Sequence, residues 1–235
     1  MSTNWKAPRG SNWKSSLTGT AIPVCVWLFF FGVVLVSIVS DAQRMVEDGA
    51  SLEFLLRLAR AGLTCAFMAL LAMAYVVRIR TTERAEGFWE RIFPMLVFVT
   101  SIVGTGILHS RPGSPNFYMT GAGIFLAPLG LCLSIWSVWH LRSSISIMAE
   151  ARRTVVSGPY RHVRHPLYLG EILTLLGVCL LIGTLVALLF WAVISASQLA
   201  RARIEERKLS RALPEYESYR RKTPFIIPKF LMPSR

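Results

Sequence analysis

The stretch Leu167–Ala200 constrains this chain more than any other: 34 almost uninterrupted apolar residues. As one helix it would be about 51 Å long, whereas the hydrocarbon layer of a bilayer is about 30 Å thick. A single crossing does not fit. Residues 201–235 carry ten Lys or Arg against four Glu, and the segment before the stretch holds Arg142, Arg152, Arg153, Arg161 and Arg164 against Glu150 alone. Both flanks therefore belong on the cytoplasmic face, and the number of crossings between them is even. The expectation is a helical hairpin that turns near Gly183-Thr184. Arms of about 16 residues would reach about 24 Å each, so the hairpin is tilted, re-entrant or locally thins the bilayer. Its two ends come back to one face, which brings residues some forty apart in sequence to one place.

Hydrophobic residues make up 53% of the chain and charged ones 17%, too apolar for a soluble domain. Further apolar runs predict spans at about Ala21–Ser40, Leu55–Val77, Phe93–Leu108 and Thr120–His140. The fold class is thus all-α: a polytopic integral membrane helical bundle of four transmembrane helices plus a C-terminal transmembrane hairpin, with a short cytoplasmic C-terminal segment. Residues 1–118 form an N-terminal part of three spans and residues 119–235 a second part. Arg78, Arg80, Arg84 and Arg91 place the loop after the second span in the cytoplasm, and both termini with it. Arg57 and Arg60, three apart in the second span, either snorkel to the interface, the preferred reading, or face the protein interior. His109–Asn116, rich in Pro and Gly, is a tight turn on the opposite side.

No small-residue cleavage site follows the first apolar run, so that run is an anchor, suited to a bacterial inner membrane or one like the endoplasmic reticulum. The formal net charge of +13 belongs to loops and tail facing anionic headgroups, and nucleic acid is not an expected partner. Cys25, Cys65, Cys132 and Cys179 all lie in apolar runs without CxxC spacing, which argues against a disulfide framework or a zinc knuckle.

The polar residues concentrate at the hairpin's two ends. Gly158-Pro159-Tyr160-Arg161-His162-Val163-Arg164-His165-Pro166-Leu167-Tyr168 precedes it, and Arg201-Ala202-Arg203-Ile204-Glu205-Glu206 follows. His162 and His165 are three apart, but the interleaved Arg161 and Arg164 repel a cation, so no metal site is expected. Neither a nucleophile beside a base nor a phosphate-binding glycine loop is present, which removes support for hydrolases and P-loop proteins. Cationic and imidazole donors suit an anionic or zwitterionic small molecule, with Glu205 or Glu206 complementing its ammonium. Taken singly, these residues have bland readings: Pro166 as the first residue of a helix, Tyr168 as an interfacial anchor, and Arg201 with Glu205 or Arg203 with Glu206 as ion pairs on a solvated helix. Neither His109 nor His140, each at the end of a span, needs a special role.

The run Ser157–Glu171, preceded by the segment from Leu141 and followed by Arg201–Glu206 and by Glu215-Tyr216-Glu217-Ser218-Tyr219, closely resembles the isoprenylcysteine carboxyl methyltransferase family. Phospholipid N-methyltransferases share much of the pattern. The resemblance covers roughly residues 120–228 and implies S-adenosylmethionine as cofactor, bound in a cytoplasmic pocket closed by the C-terminal segment, with a lipophilic acceptor entering from the membrane. It implies cofactor-binding roles for Gly158, Pro159, Tyr160, Arg164, His165, Pro166, Tyr168 and Glu206. Catalytic roles fall to Arg201 and Arg203, one of which orients an acceptor carboxylate, and to Glu205 and Glu206. The acceptor is a lipid or lipophilic small molecule, for instance a prenylcysteine-like carboxylate. Two departures stand out: the extra charge of Arg161-His162, and Glu171, which extends the motif to a form also similar to NADPH-dependent sterol and steroid reductases.

Overall fold

The computed structural model describes residues 92–110, 113–141 and 154–228, together with isolated positions between residues 29 and 89. The expected spans at Ala21–Ser40 and Leu55–Val77, and the arginines at 57, 60, 78, 80, 84, 91, 142, 152 and 153, lie outside the described residues. The described residues hold five α-helices and no strand: α1 (Phe93–His109), α2 (Phe117–Leu141), α3 (Pro166–Ile182), α4 (Leu185–Ala212) and α5 (Tyr216–Lys222), with a single 3-10 turn at Gly158–Arg161 ahead of α3. Two of them, α2 and α4, are long and apolar enough to cross a membrane, and α1 and α3 are shorter apolar helices. The protein is accordingly membrane-associated.

The long apolar stretch divides where its local chemistry breaks. Gly183 takes a left-handed conformation (φ 71°) and its N–H bonds to the Cys179 carbonyl at 3.1 Å, closing α3 as a glycine C-cap does. The next residue, Thr184, has an extended backbone, and its hydroxyl accepts the Ala187 N–H at 3.1 Å, opening α4 as an N-cap. The helices reverse direction across this two-residue link. Trp191 Nε1 donates to the Ile172 carbonyl at 3.1 Å across the pair. Near the turn Cys179, Ile182 and Ala187 are buried among Leu108, Leu175, Val178, Leu188, Phe190 and Trp191.

Helix α2 lies antiparallel to α3 along a stripe of small residues. A side-chain carbon on Gly130 would fall 2.5 Å from the Gly170 carbonyl oxygen and the Thr174 nitrogen; one on Gly123 would fall 2.8 Å from the Gly177 carbonyl. Backbone meets backbone there, the arrangement through which apolar helices associate without a hydrophobic driving force. Helix α1 packs on α4, the Phe190 ring filling the space above Gly104.

These contacts give the bundle two distinct ends. At one, the Gly113 N–H bonds to the Ile182 carbonyl at 2.7 Å, joining the turn between α1 and α2 to the hairpin turn. At the other, the segment 157–168, the polar end of α4, and α5 with the residues after it converge. The polar cluster and the apolar hairpin core thus sit at opposite ends of α3 and α4.

Candidate functional site

From Arg201 onward α4 leaves its apolar half and becomes polar without breaking. Glu206, 8% exposed, is where the chain's distant segments meet. One of its oxygens, Oε1, accepts from Arg164 Nε at 2.5 Å and from the Tyr216 hydroxyl at 3.3 Å, and lies 3.2 Å from His165 Nε2. Pro166 is the first residue of α3 and buried, while His165 sits at the N-cap position without making a side-chain cap bond. The imidazole turns to Glu206 instead. Burial alone would raise the Glu206 carboxyl, but the hydrogen bonds and charges of His165 and Arg164 outweigh it and hold the group down at about 2, against an ordinary 4.5.

Arg164 also ties down the C-terminal segment. Its Nη1 donates to the carbonyls of Thr223 at 2.6 Å and Arg220 at 2.8 Å, and its backbone N–H to the Pro224 carbonyl at 2.9 Å. The His165 N–H follows, to the Phe225 carbonyl at 3.2 Å. The Phe225 ring packs against the His165 ring at 5.0 Å and under the Arg164 guanidinium at 5.6 Å. A second strap runs from the Tyr219 hydroxyl to the Tyr160 carbonyl at 2.6 Å. Burial raises the Tyr160, Tyr216 and Tyr219 hydroxyls above their ordinary value, so all three remain protonated, and the latter two donate.

Beside this knot lies a second group of polar residues. The Tyr168 hydroxyl donates to Glu205 Oε2 at 3.0 Å, and the Arg201 guanidinium stacks over the Tyr168 ring at 5.3 Å. Arg201 is buried and also donates to Gln198 Oε1 at 2.7 Å; Gln198 in turn donates to Glu171 Oε2 at 2.5 Å. Glu205 is only half-buried. Arg203 is exposed and reaches the Phe225 ring at 5.9 Å.

The structure therefore brings together Arg164, His165, Tyr168, Arg201, Glu205 and Glu206, with Arg203 at the rim. Pro159 and Tyr160 are buried in the 3-10 turn, joined to the cluster through Tyr219. Gly158 (φ 57°) lies against the His140 ring, whose Nδ1 is 2.9 Å from the Trp136 carbonyl. His140 thus shapes the site's edge, a placement that the end of an apolar run does not announce. Tyr216, Phe225 and Gln198 were not singled out as site residues either; the pair of tyrosines three apart in the tail was the available signal for the first. Among the described residues no group of three or more His, Cys, Asp or Glu could hold a metal ion.

The family model for phospholipid methyltransferase matches residues 118–215, a range that contains the 3-10 turn, the hairpin and the Glu-Glu pair. The chain is also 34% identical over 155 residues to the cobalt-zinc-cadmium resistance protein CzcN of Cupriavidus metallidurans, covering 63% of this chain and 65% of that one. It is 28% identical over 151 residues to the nickel-cobalt-cadmium resistance protein NccN of Alcaligenes xylosoxydans xylosoxydans, covering 63% and 66% respectively. The matched stretch is thus slightly under two thirds of either relative's length. Over residues 118–215 the chain matches the phospholipid methyltransferases, a family related to the isoprenylcysteine carboxyl methyltransferases that its motifs resemble.

Proposed function

We propose that this protein is an S-adenosylmethionine-dependent methyltransferase of the membrane, acting on a lipophilic acceptor. One observation carries the reading: adjacent carboxylates on one helix have different surroundings, Glu206 buried under Arg164, His165 and Tyr216 and Glu205 half-buried beside Tyr168. Glu206 organises the site, and Glu205 meets the ligand. Bound there, S-adenosylmethionine supplies an electrophilic methyl group on a sulfonium.

The chain's own residues hold and exclude. Glu205 receives the ammonium, with Tyr168 fixing the carboxylate's direction, while Pro159 and Tyr160 form the wall under Tyr219. Arg201, buried and stacked, is better placed than the exposed Arg203 to orient an acceptor's anionic or polar group, such as the carboxylate of a prenylcysteine-like compound. Residues 213–228, strapped over the motif by Arg164 and Tyr219, keep water out. With an anionic acceptor no strong base is needed, and acceleration comes from proximity and from stripping water off the nucleophile. The acceptor enters from the bilayer along the apolar helices. The metal-resistance names of the relatives do not bear on the choice of acceptor. In this reading residues 1–118 supply three spans and residues 119–235 the catalytic part, with both termini cytoplasmic.

The reductase alternative requires Arg161 and Arg164 to receive a 2′-phosphate, yet Arg164 is engaged by Glu206 and two carbonyls. Calorimetric titration of the detergent-purified chain with S-adenosylmethionine, S-adenosylhomocysteine and NADPH separates the two. The expected result is micromolar binding of the first two and none of the third. Binding of NADPH alone would replace the methyltransferase reading with the reductase.

A further inference from the structure

From Ile172 to Ala200 the chain has no Asp, Glu, Lys, Arg or His, yet polar groups bound this stretch at both ends and join across the hairpin. Tyr168 and Glu171 are three apart on α3; Gln198, Arg201 and Glu205 are spaced three and four apart on α4, so each set lies along one helical face. The bonds run in an unbroken order, from Glu171 Oε2 to Gln198 Nε2 (2.5 Å), from Gln198 Oε1 to Arg201 Nη1 (2.7 Å), from the Arg201 guanidinium to the Tyr168 ring (5.3 Å), and from the Tyr168 hydroxyl to Glu205 Oε2 (3.0 Å). The Gln198 amide is used at both ends, nitrogen to the carboxylate and oxygen to the guanidinium, so its orientation is dictated by its neighbours. Gln198 is 6% exposed and Arg201 9%.

A carboxylate so close to apolar surroundings is costly unless it is satisfied, and residues of this kind in membrane helices mark functional sites. Holding the hairpin together does not require it, since the core around Cys179, Ile182 and Ala187 and the Trp191–Ile172 bond already join α3 to α4. What the chain of bonds does accomplish is to fix a long, flexible arginine from two sides, by a hydrogen bond and by an aromatic face. Arg201 then lies against the ring whose hydroxyl aims Glu205.

We propose that Glu171 and Gln198 are positioning residues that act through Arg201 to set the Tyr168–Glu205 pair, and thereby the affinity for the amino-acid end of the cofactor. This rests on the S-adenosylmethionine reading above. The amino-acid end and the nucleoside end of the cofactor can be probed separately, because 5′-methylthioadenosine retains the adenosine and thioether of S-adenosylhomocysteine but lacks the amino-acid group.

The test is calorimetric titration of the full chain in detergent with both probes, for the wild type and for Gln198→Ala, Glu171→Ala and Glu171→Gln, each first checked for monodisperse elution. Gln198→Ala and Glu171→Ala are expected to weaken S-adenosylhomocysteine by about tenfold or more, a loss of about 1.4 kcal/mol per decade, while 5′-methylthioadenosine changes by less than about twofold. Glu171→Gln keeps the size and an acceptor for the Gln198 amide, and its affinity for S-adenosylhomocysteine is expected between wild type and Glu171→Ala. Equal weakening of both probes would mean that the seam only supports the fold, and unchanged binding of S-adenosylhomocysteine in all three variants would mean that it does not reach Glu205; either overturns the inference alone. A wild-type chain that binds neither probe removes the cofactor reading and this inference together.

Discussion

Glu206 accepts from three residues through a single oxygen, and they come from two parts of the chain: the consecutive Arg164 and His165 ahead of α3, and Tyr216 on α5. Glu206→Gln keeps the shape but removes the charge that offsets Arg164. Breaking a buried ion pair from one side typically costs about 3–5 kcal/mol. We expect the variant to lose turnover and to unfold at lower temperature in detergent, and His165→Ala to lose turnover while eluting as a folded protein; normal activity in both would remove the site. The depressed Glu206 carboxyl also sets a pH window. A group lowered from 4.5 to about 2 stabilises the fold above about pH 4.5, and that contribution is lost as the pH falls toward 2. Thermal melts between pH 6 and about 2.5 should therefore fall less steeply for Glu206→Gln than for the wild type; parallel curves would contradict the assignment. That Glu205 and Glu206 lie with the motif was legible in sequence, whereas which of the two is buried was not. Neighbours on a helix point about 100° apart, and which one turns inward depends on how the hairpin is rotated against α5 and the motif.

At the scale of elements, length and charge predicted the hairpin and its turn at Gly183-Thr184, because 34 residues are too many for one crossing and the glycine and threonine supply adjacent caps. The third and fourth expected spans, Phe93–Leu108 and Thr120–His140, fall within α1 and α2 to a few residues. Helix α5 was not foreseen: seven residues, polar and aromatic, carry too little periodicity to separate a helix from coil, and tertiary bonds to Arg164 and Tyr160 hold it. The solvated-helix reading of residues 201–206 missed the contacts that matter, since Glu206 bonds across more than forty residues to Arg164 and His165. The glycines of α2 are not equivalent. Gly130→Ala places a carbon 2.5 Å from backbone atoms of α3, whereas nothing lies within 4 Å of one placed on Gly121. Gly130→Ala should destabilise the protein by about 1–3 kcal/mol, as overpacking does. Gly121→Ala should be neutral or stabilise it by up to about 1 kcal/mol. Equal melting temperatures for the two variants would contradict the close approach of α2 and α3.

At the scale of the molecule, the bond between Gly113 and Ile182 puts the α1–α2 turn and the hairpin turn at one end, while the motif, the end of α4 and the tail share the other. In the proposed topology the second end faces the cytoplasm. Single cysteines at Ser114 and Glu215, both exposed, should therefore react with impermeant reagents from opposite faces of sealed vesicles, and cysteines at Gly10 and Ser234 from the same face. Labelling of Gly10 and Ser234 from opposite faces would overturn the even number of crossings. The sequence could not foretell how tightly the tail is fastened, because the bonds from Arg164 end on backbone carbonyls of Arg220 and Thr223, which carry no residue signature.

The anchoring of Arg164 to carbonyls so late in the chain has a consequence for how the protein is made. Synthesis proceeds from the N-terminus, and segments fold in that order. The hairpin can form once Ala212 has emerged from the ribosome, but until Phe225 has followed, Arg164 lacks the partners that draw the tail over the motif. A product stopped between these points would be a membrane-associated hairpin with every polar residue of α3 and α4 in place and an unsealed site. On the proposed reading, the tail therefore closes over the motif only after the segment from Arg220 to Phe225 has left the ribosome.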